Sequence, residues 1–543
     1  MLYTYRDTYS NIQIFLAWMK NKACLGKENK MSFLDDVKDV LNDTKQRTEN
    51  GAVGYSTSKH ELLDMNFAVP SYRKKSEVQI KEDFTKAYFE NPLLAVAWIF
   101  YVRDVRGGLG ERRLFRVCMK QIAETNTQLA IELLPLIAEY GRFDDIFELL
   151  NIDSTFDIAI AKVVAEQFKA DFDNMSAGKP ISLLAKWLPT QNCSNAVRKQ
   201  RANFIVSKLG LTPKDYRQTV SAMRKYLDVV ETKISKNKWS EIDYNTVPSG
   251  ANLKYNGAFL KHDEDRRRAY LAALIRGDKD VKINSSTLYP HDIVTKYMNC
   301  NYWRSDILNP YDETLEQLWK NLPNMIKDGS DTLVVADGSY SMTCSVGNGA
   351  TTALNVANAL AIYFSEHNKG EFANKYITFS SRPQLVDFSK AKSLRDKLQI
   401  ALAHNECADT NIEATFDLIL NTAVKNNYSQ SDIPSNIVII SDMEFNMATY
   451  GRTDKALFET ISDKFEANGY KMPRLVFWNV NSRTNTIPIQ QNDMGVILIS
   501  GFSVNLCNMV LNGETDPYVA LVKEITKERY APILEIAHEV LDK

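Results

Sequence analysis

The apolar positions change their spacing once along the chain, near residue 330. From about residue 32 to about residue 325 they recur every three or four residues, as in helices that bury one face. One helix is expected to begin at Asn91-Pro92, because Asn caps helix N-termini and Pro fits the first helical position. Another is expected to run from Leu129 to Tyr140 and to end at Gly141. Such helices, joined by short turns, predict an α-solenoid.

Beyond residue 330 the chain alternates between short β-branched runs and helical patterns. The runs are Asp331–Ala336, Tyr376–Phe379, Ile437–Ile440, Leu475–Trp478 and Val496–Ile499. The helical patterns cover residues 351–366, 391–403, 411–424 and 452–468. This alternation predicts an α/β fold with a doubly wound, mostly parallel sheet. Ligands of such sheets bind outside the carboxyl ends of the strands.

Oxygen-bearing side chains follow three segments that end at this edge. The first predicted strand runs into an Asp-x-Ser-x-Ser motif, Asp442 directly follows the strand Asn436–Ser441, and Thr410 precedes a helix. The five candidate ligands of a divalent cation are Asp337, Ser339, Ser341, Thr410 and Asp442. This set of two carboxylates and three hydroxyls resembles the metal-ion-dependent adhesion site of von Willebrand factor A-type (vWA) domains. Mg²⁺ suits these hard oxygen ligands, and Mn²⁺ and Ca²⁺ also accept them.

The same residue types have a simpler interpretation, because Asp and Ser are common in turns and at helix N-termini. If the metal site exists, its few carboxylates leave the ion able to take an acidic oxygen from a partner protein. No Ser–His–Asp arrangement, P-loop or His-Glu-x-x-His motif accompanies it. His367 and His404 are expected to be ordinary surface or core histidines. The sequence therefore predicts binding without catalysis.

Composition narrows the class of protein. The 543 residues are 44% hydrophobic and 24% charged, and no run reaches the ~18 apolar residues of a membrane helix. The first apolar run is too short and too interrupted for a signal peptide. The seven cysteines include no Cys-x-x-Cys pair, which disfavours a zinc cage. We therefore expect a reducing, cytoplasmic setting and no membrane partner.

Several longer stretches of the sequence resemble stretches of known proteins. They are FYVRDVRGGLGERRLFR from Phe100, YGRFDD from Tyr140, LAKWLPTQN from Leu184, KWSEIDYNTVPS from Lys238, YPHDIV from Tyr289, FWNV from Phe477 and VILISGFS from Val496. In its order of regions, a helical part followed by a vWA domain, the chain resembles the TROVE/Ro ribonucleoproteins. In these stretches it is still more similar to an uncharacterised family of plants, fungi and large viruses. The resemblance covers about residues 32–525.

The resemblance implies a toroid of HEAT-like helices closed by the vWA domain. It divides the chain into an N-terminal arm (residues 1–31), a TROVE-like ring domain (32–325) and a vWA-like domain with a C-terminal helix (326–543). Ro proteins bind single-stranded and structured RNA and act in small-RNA quality control without catalysis. The resemblance thus implies an RNA-binding ribonucleoprotein.

The charge distribution offers candidate RNA contacts in the helical part. Although the net charge is only -1, residues 181–300 hold 21 Lys and Arg against 11 Asp and Glu. The candidate contacts are Arg103, Arg106, Arg112, Arg113, Arg198, Lys199, Arg201, Arg217, Arg266 and Arg267. RNA binding through them would be salt-sensitive and directed at the phosphate backbone.

An equal alternative is that several of these arginines join helices through carboxylates such as Asp104, Asp144 and Asp145. The alternative function is a metal-dependent protein-interaction scaffold, in an assembly or a viral structure, that binds no RNA.

Overall fold

A computed structural model describes residues 44–298, 308–326, 332–346, 349–379, 382–405, 411–446, 457–487, 496–506 and 516–542. In these residues a helical region precedes an α/β region built on a six-stranded sheet. This confirms the predicted change of structure near residue 330. The predicted N-terminal arm, residues 1–31, lies outside the described residues.

The helical region consists mainly of short helices joined by turns. They are α1 (Glu61–Phe67), α2 (Glu77–Glu90), α3 (Pro92–Arg103), α4 (Arg112–Thr125), α5 (Thr127–Leu133), α6 (Ile137–Tyr140), α7 (Phe143–Phe147), α8 (Ser154–Ser176), α9 (Leu184–Trp187), α10 (Ala196–Leu209), α11 (Pro213–Tyr226), α12 (Val230–Ser235), α13 (Ser249–His262), α14 (Glu264–Arg276), α15 (Pro290–Tyr297) and α16 (Glu313–Lys320). Short 3₁₀ turns lie between some of them.

Local sequence signals account for several helix ends. The predicted start of α3 is confirmed: Pro92 is its first residue, and the Asn91 side chain accepts a hydrogen bond from the Leu94 backbone N–H at 3.0 Å. The single helix predicted from Leu129 to Tyr140 is instead divided into α5 and α6 by a 3₁₀ turn that contains Pro135. Proline lacks the N–H that a continuous helix needs at this position.

A β-hairpin at the start of the described chain corrects the prediction of helices from residue 32 onward. Strands β1 (Lys45–Arg47) and β2 (Val53–Tyr55) pair antiparallel. The hairpin also bonds to the α/β region, since the Tyr55 backbone N–H donates to the Ile487 carbonyl at 2.8 Å. These long-range contacts decide the structure of a short segment that has no helical periodicity.

The sheet has the order β5-β4-β3-β6-β7-β8, in which only β5 runs antiparallel to its neighbour. Its strands are β3 (Thr332–Asp337), β4 (Lys375–Phe379), β5 (Gln384–Asp387), β6 (Asn436–Ser441), β7 (Arg474–Asn479) and β8 (Val496–Ser500). The helices of this region are α17 (Ala353–His367), α18 (Leu394–His404), α19 (Ile412–Asn426), α20 (Leu457–Ala467), α21 (Pro517–Ile525) and α22 (Ala531–Leu541). The five predicted strands are confirmed, and edge strand β5 is an addition.

The helical region packs against the α/β region near both of its ends. At one end α22 contacts α3 and α5, and α1 contacts β8. The Arg529 guanidinium there bonds to the buried Asp104 carboxylate, with Nη2 at 3.0 Å from Oδ1. At the other end α15 contacts α17, and α16 contacts α18. Within the described ranges, no helix is long and apolar enough to cross a bilayer.

A single glycine controls the turn that follows α3. A Cβ added to Gly108 would lie 1.9 Å from the Tyr101 backbone carbonyl oxygen. We expect Gly108→Ala to destabilise the protein by about 3 kcal/mol, because backbone has to move to relieve that contact. Thermal unfolding monitored by circular dichroism measures the effect. Gly257→Ala, in open space within α13, is the control and should be neutral or stabilising. Equal melting temperatures for the two variants would contradict this role of Gly108.

Candidate metal centre

The strand order places two carboxylates at the point where the sheet changes direction. From β3 the chain continues outward through β4 and β5, then returns to β6 on the other side of β3. In the parallel pair β3 and β6, Ala336 lies opposite Ile440. Asp337 is therefore beside Ser441, and Asp442 comes one residue later. This crevice outside the carboxyl ends is where doubly wound sheets bind ligands.

Hydrogen bonds hold the Asp337 carboxylate on both oxygens. The Ser339 backbone N–H donates to Oδ1 at 2.8 Å, and the Ser441 hydroxyl donates to Oδ2 at 2.6 Å. The Ser339 and Ser341 hydroxyl oxygens lie 2.9 Å apart. The structure thus brings the Asp-x-Ser-x-Ser motif and the end of β6 together. Thr410, the remaining predicted ligand, lies outside the described residues.

Asp442 is fully buried and carries an ion pair that the sequence did not suggest. Arg483, on the loop after β7, places Nη1 2.9 Å from Asp442 Oδ2. The Glu444 backbone N–H donates to the other carboxylate oxygen at 3.3 Å. Asp442 therefore already has one cationic neighbour.

Burial and neighbouring negative charge make these carboxylates resist ionisation. Burial raises the pKa of Asp337 to about 7, and the negative charge of Asp442 adds to the rise. Burial also raises the pKa of Asp442, although the Arg483 charge and a Ser341 hydrogen bond act in the opposite direction. Arg483 pairs with Asp442, whereas Asp337 is held by Ser339 and Ser441 donors, so a further cation between the two carboxylates would be stabilising.

The donor set fits a hard cation that keeps some of its water. Asp337 and Asp442 supply carboxylate oxygens, and Ser339 and Ser341 supply hydroxyls, which are ligand types that Mg²⁺ prefers. In the described part of the chain, no three His, Cys, Asp or Glu side chains gather as a metal site. A cation here would therefore depend on the hydroxyls and on water as well as on the two carboxylates.

Gly338 allows the motif to lie against the end of α18. A Cβ at this position would lie 2.7 Å from the Asn405 side-chain oxygen. The Asn405 side-chain nitrogen is buried and has no hydrogen-bond acceptor among the described residues. An unsatisfied donor and a close approach both occur beside the candidate ligands.

The two histidines singled out in the sequence, His367 and His404, are held by their own helices. His367 Nδ1 lies 2.7 Å from the Tyr363 carbonyl oxygen, and His404 Nδ1 lies 2.8 Å from the Ile400 carbonyl oxygen. Each ring thus bonds to backbone one helical turn earlier.

Half of the predicted RNA-binding residues make contacts within the protein. Arg103 is buried against Asp145, with Nε 2.8 Å from Oδ2, and Arg201 pairs with Glu148 at 2.9 Å. The remaining three are Arg113, which donates to the Tyr72 and Lys75 carbonyls; Arg266, which donates to the Trp239 and Ile242 carbonyls; and Arg267, which is fully buried against the rings of Tyr244, Phe259 and Tyr270. These contacts support the helix-joining alternative for this subset.

The other half of the predicted set is exposed. Its members are Arg106, Arg112, Arg198, Lys199 and Arg217. Lys199 and Arg217, on α10 and α11, form no ion pair with any described acidic residue. Arg198, Lys199 and Arg217 lie on α10 and α11, whereas Arg106 and Arg112 lie around the start of α4.

Two residues that bond to the carboxylate pair, Ser441 and Arg483, were missed by sequence reasoning. Ser441 offered a signal, because it ends the strand that precedes Asp442 and faces the neighbouring Asp337. Arg483 offered none, since it is 41 residues from Asp442 and belongs to no motif.

Comparisons with known proteins match both regions of the chain. A family model described as Domain of unknown function (DUF7788) matches residues 331–532, and another, Domain of unknown function (DUF2828), matches residues 207–331. An uncharacterized protein of Acanthamoeba polyphaga mimivirus is 27% identical over 504 residues, which are 86% of this chain and 84% of the viral protein. The similarity to the viral protein therefore spans the helical and the α/β regions together.

The raised pKa of Asp337 predicts a pH dependence of stability in metal-free protein. Because folding raises this pKa to about 7, the folded state binds more protons than the unfolded state between about pH 4 and pH 7. Stability should therefore fall as the pH rises through this window, by on the order of a few kcal/mol. Urea unfolding with a chelator, at pH 5 and at pH 7.5, measures the fall.

Asp337→Asn should reduce that fall, because the amide does not ionise. Asp432→Asn, on the exposed turn before β6, should keep it, since Ser429 lowers rather than raises the pKa of Asp432. An identical pH response in wild type and Asp337→Asn would show that Asp337 is not the group concerned.

Proposed function

We propose that this chain is a non-catalytic RNA-binding protein of Ro-like architecture whose α/β region is a vWA-like domain holding a divalent cation. The observation that carries the metal site is the meeting of Asp337 and Asp442 at the switch point of the sheet. The hydroxyls of Ser339 and Ser341 complete the described donor set. Mg²⁺ is the cation that these ligands suit best, with Mn²⁺ and Ca²⁺ as alternatives.

Three features support the vWA-like assignment. The sheet runs outward in both directions from β3, it ends in one antiparallel edge strand, and the Asp-x-Ser-x-Ser motif follows its central strand. The histidines nearest in sequence are bonded to backbone carbonyls, which supports binding over catalysis. A bound cation would supply an electrophilic point for an acidic oxygen.

The packing of the helical region supports a HEAT-like ring. Both ends of this region contact the α/β region, as closure of a ring requires. The free thiols of Cys118, Cys193 and Cys344 support a reducing, cytoplasmic setting.

RNA binding is assigned to the solvent face of α10 and α11, which carries Arg198, Lys199 and Arg217 from the set that the sequence suggested, together with further lysines. In α11, Tyr216, Val220 and Met223 are buried, so the basic residues occupy the opposite side. The residues of this basic face are Arg198, Lys199, Lys208, Lys214, Arg217 and Lys225. Lys and Arg side chains are common donors to phosphate oxygens, and such contacts carry no sequence information.

A second candidate function is a protein-interaction scaffold, and Tyr340 favours it. This tyrosine lies between the candidate ligands Ser339 and Ser341 and is 58% exposed. A partner protein would place a carboxylate on the cation and pack its surface against the exposed Tyr340 ring. Pull-down of a protein partner that is lost with a chelator or with Asp337→Asn would support this function. Equal recovery with and without metal would oppose it.

The metal site predicts a ligand-dependent gain in stability. At 100 times its Kd, Mg²⁺ should stabilise the folded chain by about 2.7 kcal/mol. Asp337→Asn and Asp442→Asn should abolish the gain, because each removes a carboxylate from the site. Differential scanning calorimetry at pH 7.5, with Mg²⁺ or a chelator, measures it, with Asp432→Asn as the control that keeps the full gain. Equal stabilisation of all three variants would place the ion elsewhere.

The basic face predicts salt-dependent RNA affinity. In fluorescence anisotropy with a labelled single-stranded RNA, the triple variant Lys214→Glu, Arg217→Glu and Lys225→Glu should bind at least tenfold more weakly, because three phosphate contacts are reversed in charge. The slope of log affinity against log salt should fall by about 2–3.

The matched control changes the net charge equally at Lys162, Lys261 and Lys279, exposed lysines on or next to α8, α13 and α14. It should bind within about threefold of wild type. Equal loss in both triple variants would indicate attraction to overall charge, and absence of wild-type binding at low salt would remove the RNA function.

A further inference from the structure

Arg483 connects the candidate metal centre to the β-hairpin through two carboxylates. Its Nη1 lies 2.9 Å from Asp442 Oδ2, and its Nε lies 2.7 Å from Glu49 Oε2. Glu49 belongs to the turn between β1 and β2. The two acceptors differ in environment, since the Asp442 side chain is fully buried whereas that of Glu49 is 57% exposed.

The guanidinium and a divalent ion would compete for the same carboxylate. Asp337 and Asp442 together carry two negative charges when ionised, and Arg483 neutralises one of them. A cation that enters this buried site meets the Arg483 charge close to one of its own ligands, where repulsion is only weakly screened. Arg483 Nη1 also occupies Asp442 Oδ2, one of four oxygens that the two carboxylates offer.

We propose that Arg483 is the internal counter-cation of this site: it occupies Asp442 in the metal-free protein and sets the affinity for the divalent ion. This inference rests on the metal site proposed above. When an ion binds, the guanidinium leaves Asp442 and keeps its bond to Glu49.

Glu49 can accept the displaced guanidinium because other bonds hold the hairpin in place. The Glu49 backbone N–H donates to Glu444 Oε2 at 2.8 Å, and the Asn50 side chain donates to the Glu444 carbonyl at 2.6 Å. The Thr48 hydroxyl donates to the Phe445 carbonyl at 2.6 Å. None of these bonds involves the Arg483 side chain, so the position of Glu49 does not depend on the bond between Arg483 and Asp442.

The test is a Mn²⁺ titration of the full chain, with free Mn²⁺ measured by electron paramagnetic resonance at pH 7.5. Arg483→Gln should bind Mn²⁺ at least tenfold more tightly than wild type, because the competing charge is gone. Arg395→Gln is the control: Arg395 bonds to the Asn309 carbonyl, and its loss should change the Mn²⁺ affinity less than twofold.

Glu49→Gln tests the path of the guanidinium. It removes the alternative partner of Arg483, so it should weaken Mn²⁺ binding in the wild-type background by about threefold or more. In the Arg483→Gln background the same change should have a smaller effect, because no guanidinium remains to be displaced. This double-mutant cycle isolates the coupling between the two residues.

The outcomes separate this inference from the metal site itself. Equal or weaker Mn²⁺ binding by Arg483→Gln, with wild type binding normally, would overturn the role of Arg483 and leave the metal site standing. No Mn²⁺ binding by either protein would overturn the metal site. If Arg483→Gln does not fold, Arg483→Met keeps the aliphatic stem without the charge, and the same tightening is required of it.

Discussion

Two ionised carboxylates at adjacent strand ends repel each other, and burial away from water intensifies the repulsion. In this protein the parallel pairing of β3 with β6 makes such a meeting unavoidable, because Asp337 and Asp442 come at the ends of neighbouring strands. Hydrogen-bond donors and one cation around the switch point offset this repulsion. Ser441 and the Ser339 backbone donate to one carboxylate, and Arg483 pairs with the other. The hairpin also takes part, since its Glu49 is the second carboxylate partner of Arg483.

A second buried cluster holds the two regions of the chain together. Asp104, at the end of α3, accepts hydrogen bonds from the Arg529 guanidinium and from the Tyr530 hydroxyl. Tyr140 stacks on Tyr530 and donates to the Arg529 carbonyl at 2.5 Å. Part of the phrase FYVRDVRGG that resembled a family motif is thereby explained by packing. Gly108 lies against Tyr101 backbone in the same turn, so this segment has a structural role whatever the protein binds.

The sequence predicted the strands well because each is buried on both faces and therefore reads as a continuous apolar run. Strand β5 was missed because it is short and mostly exposed. Asp337 and Asp442 could be placed together because carboxyl ends of parallel strands share one edge, whereas Arg483 reaches them from a loop that no local pattern marks. Among the basic residues, Arg267 precedes the buried Leu271 by four positions, a helical spacing that already pointed inward. Charge alone could not separate it from the exposed Arg268.

The contact between Arg529 and Asp104 joins residues 425 positions apart in the sequence. Helix α22, which packs on α3, follows it in the sequence by a similar number of residues. During synthesis at 5–20 residues per second, α3 waits for roughly 20–85 s before the helix that covers it leaves the ribosome. Its side chains are almost all apolar, so during this interval it presents a surface that invites aggregation. The folding of the helical region therefore has to finish after translation, and a chaperone that shields α3 would be expected to govern the yield of native protein.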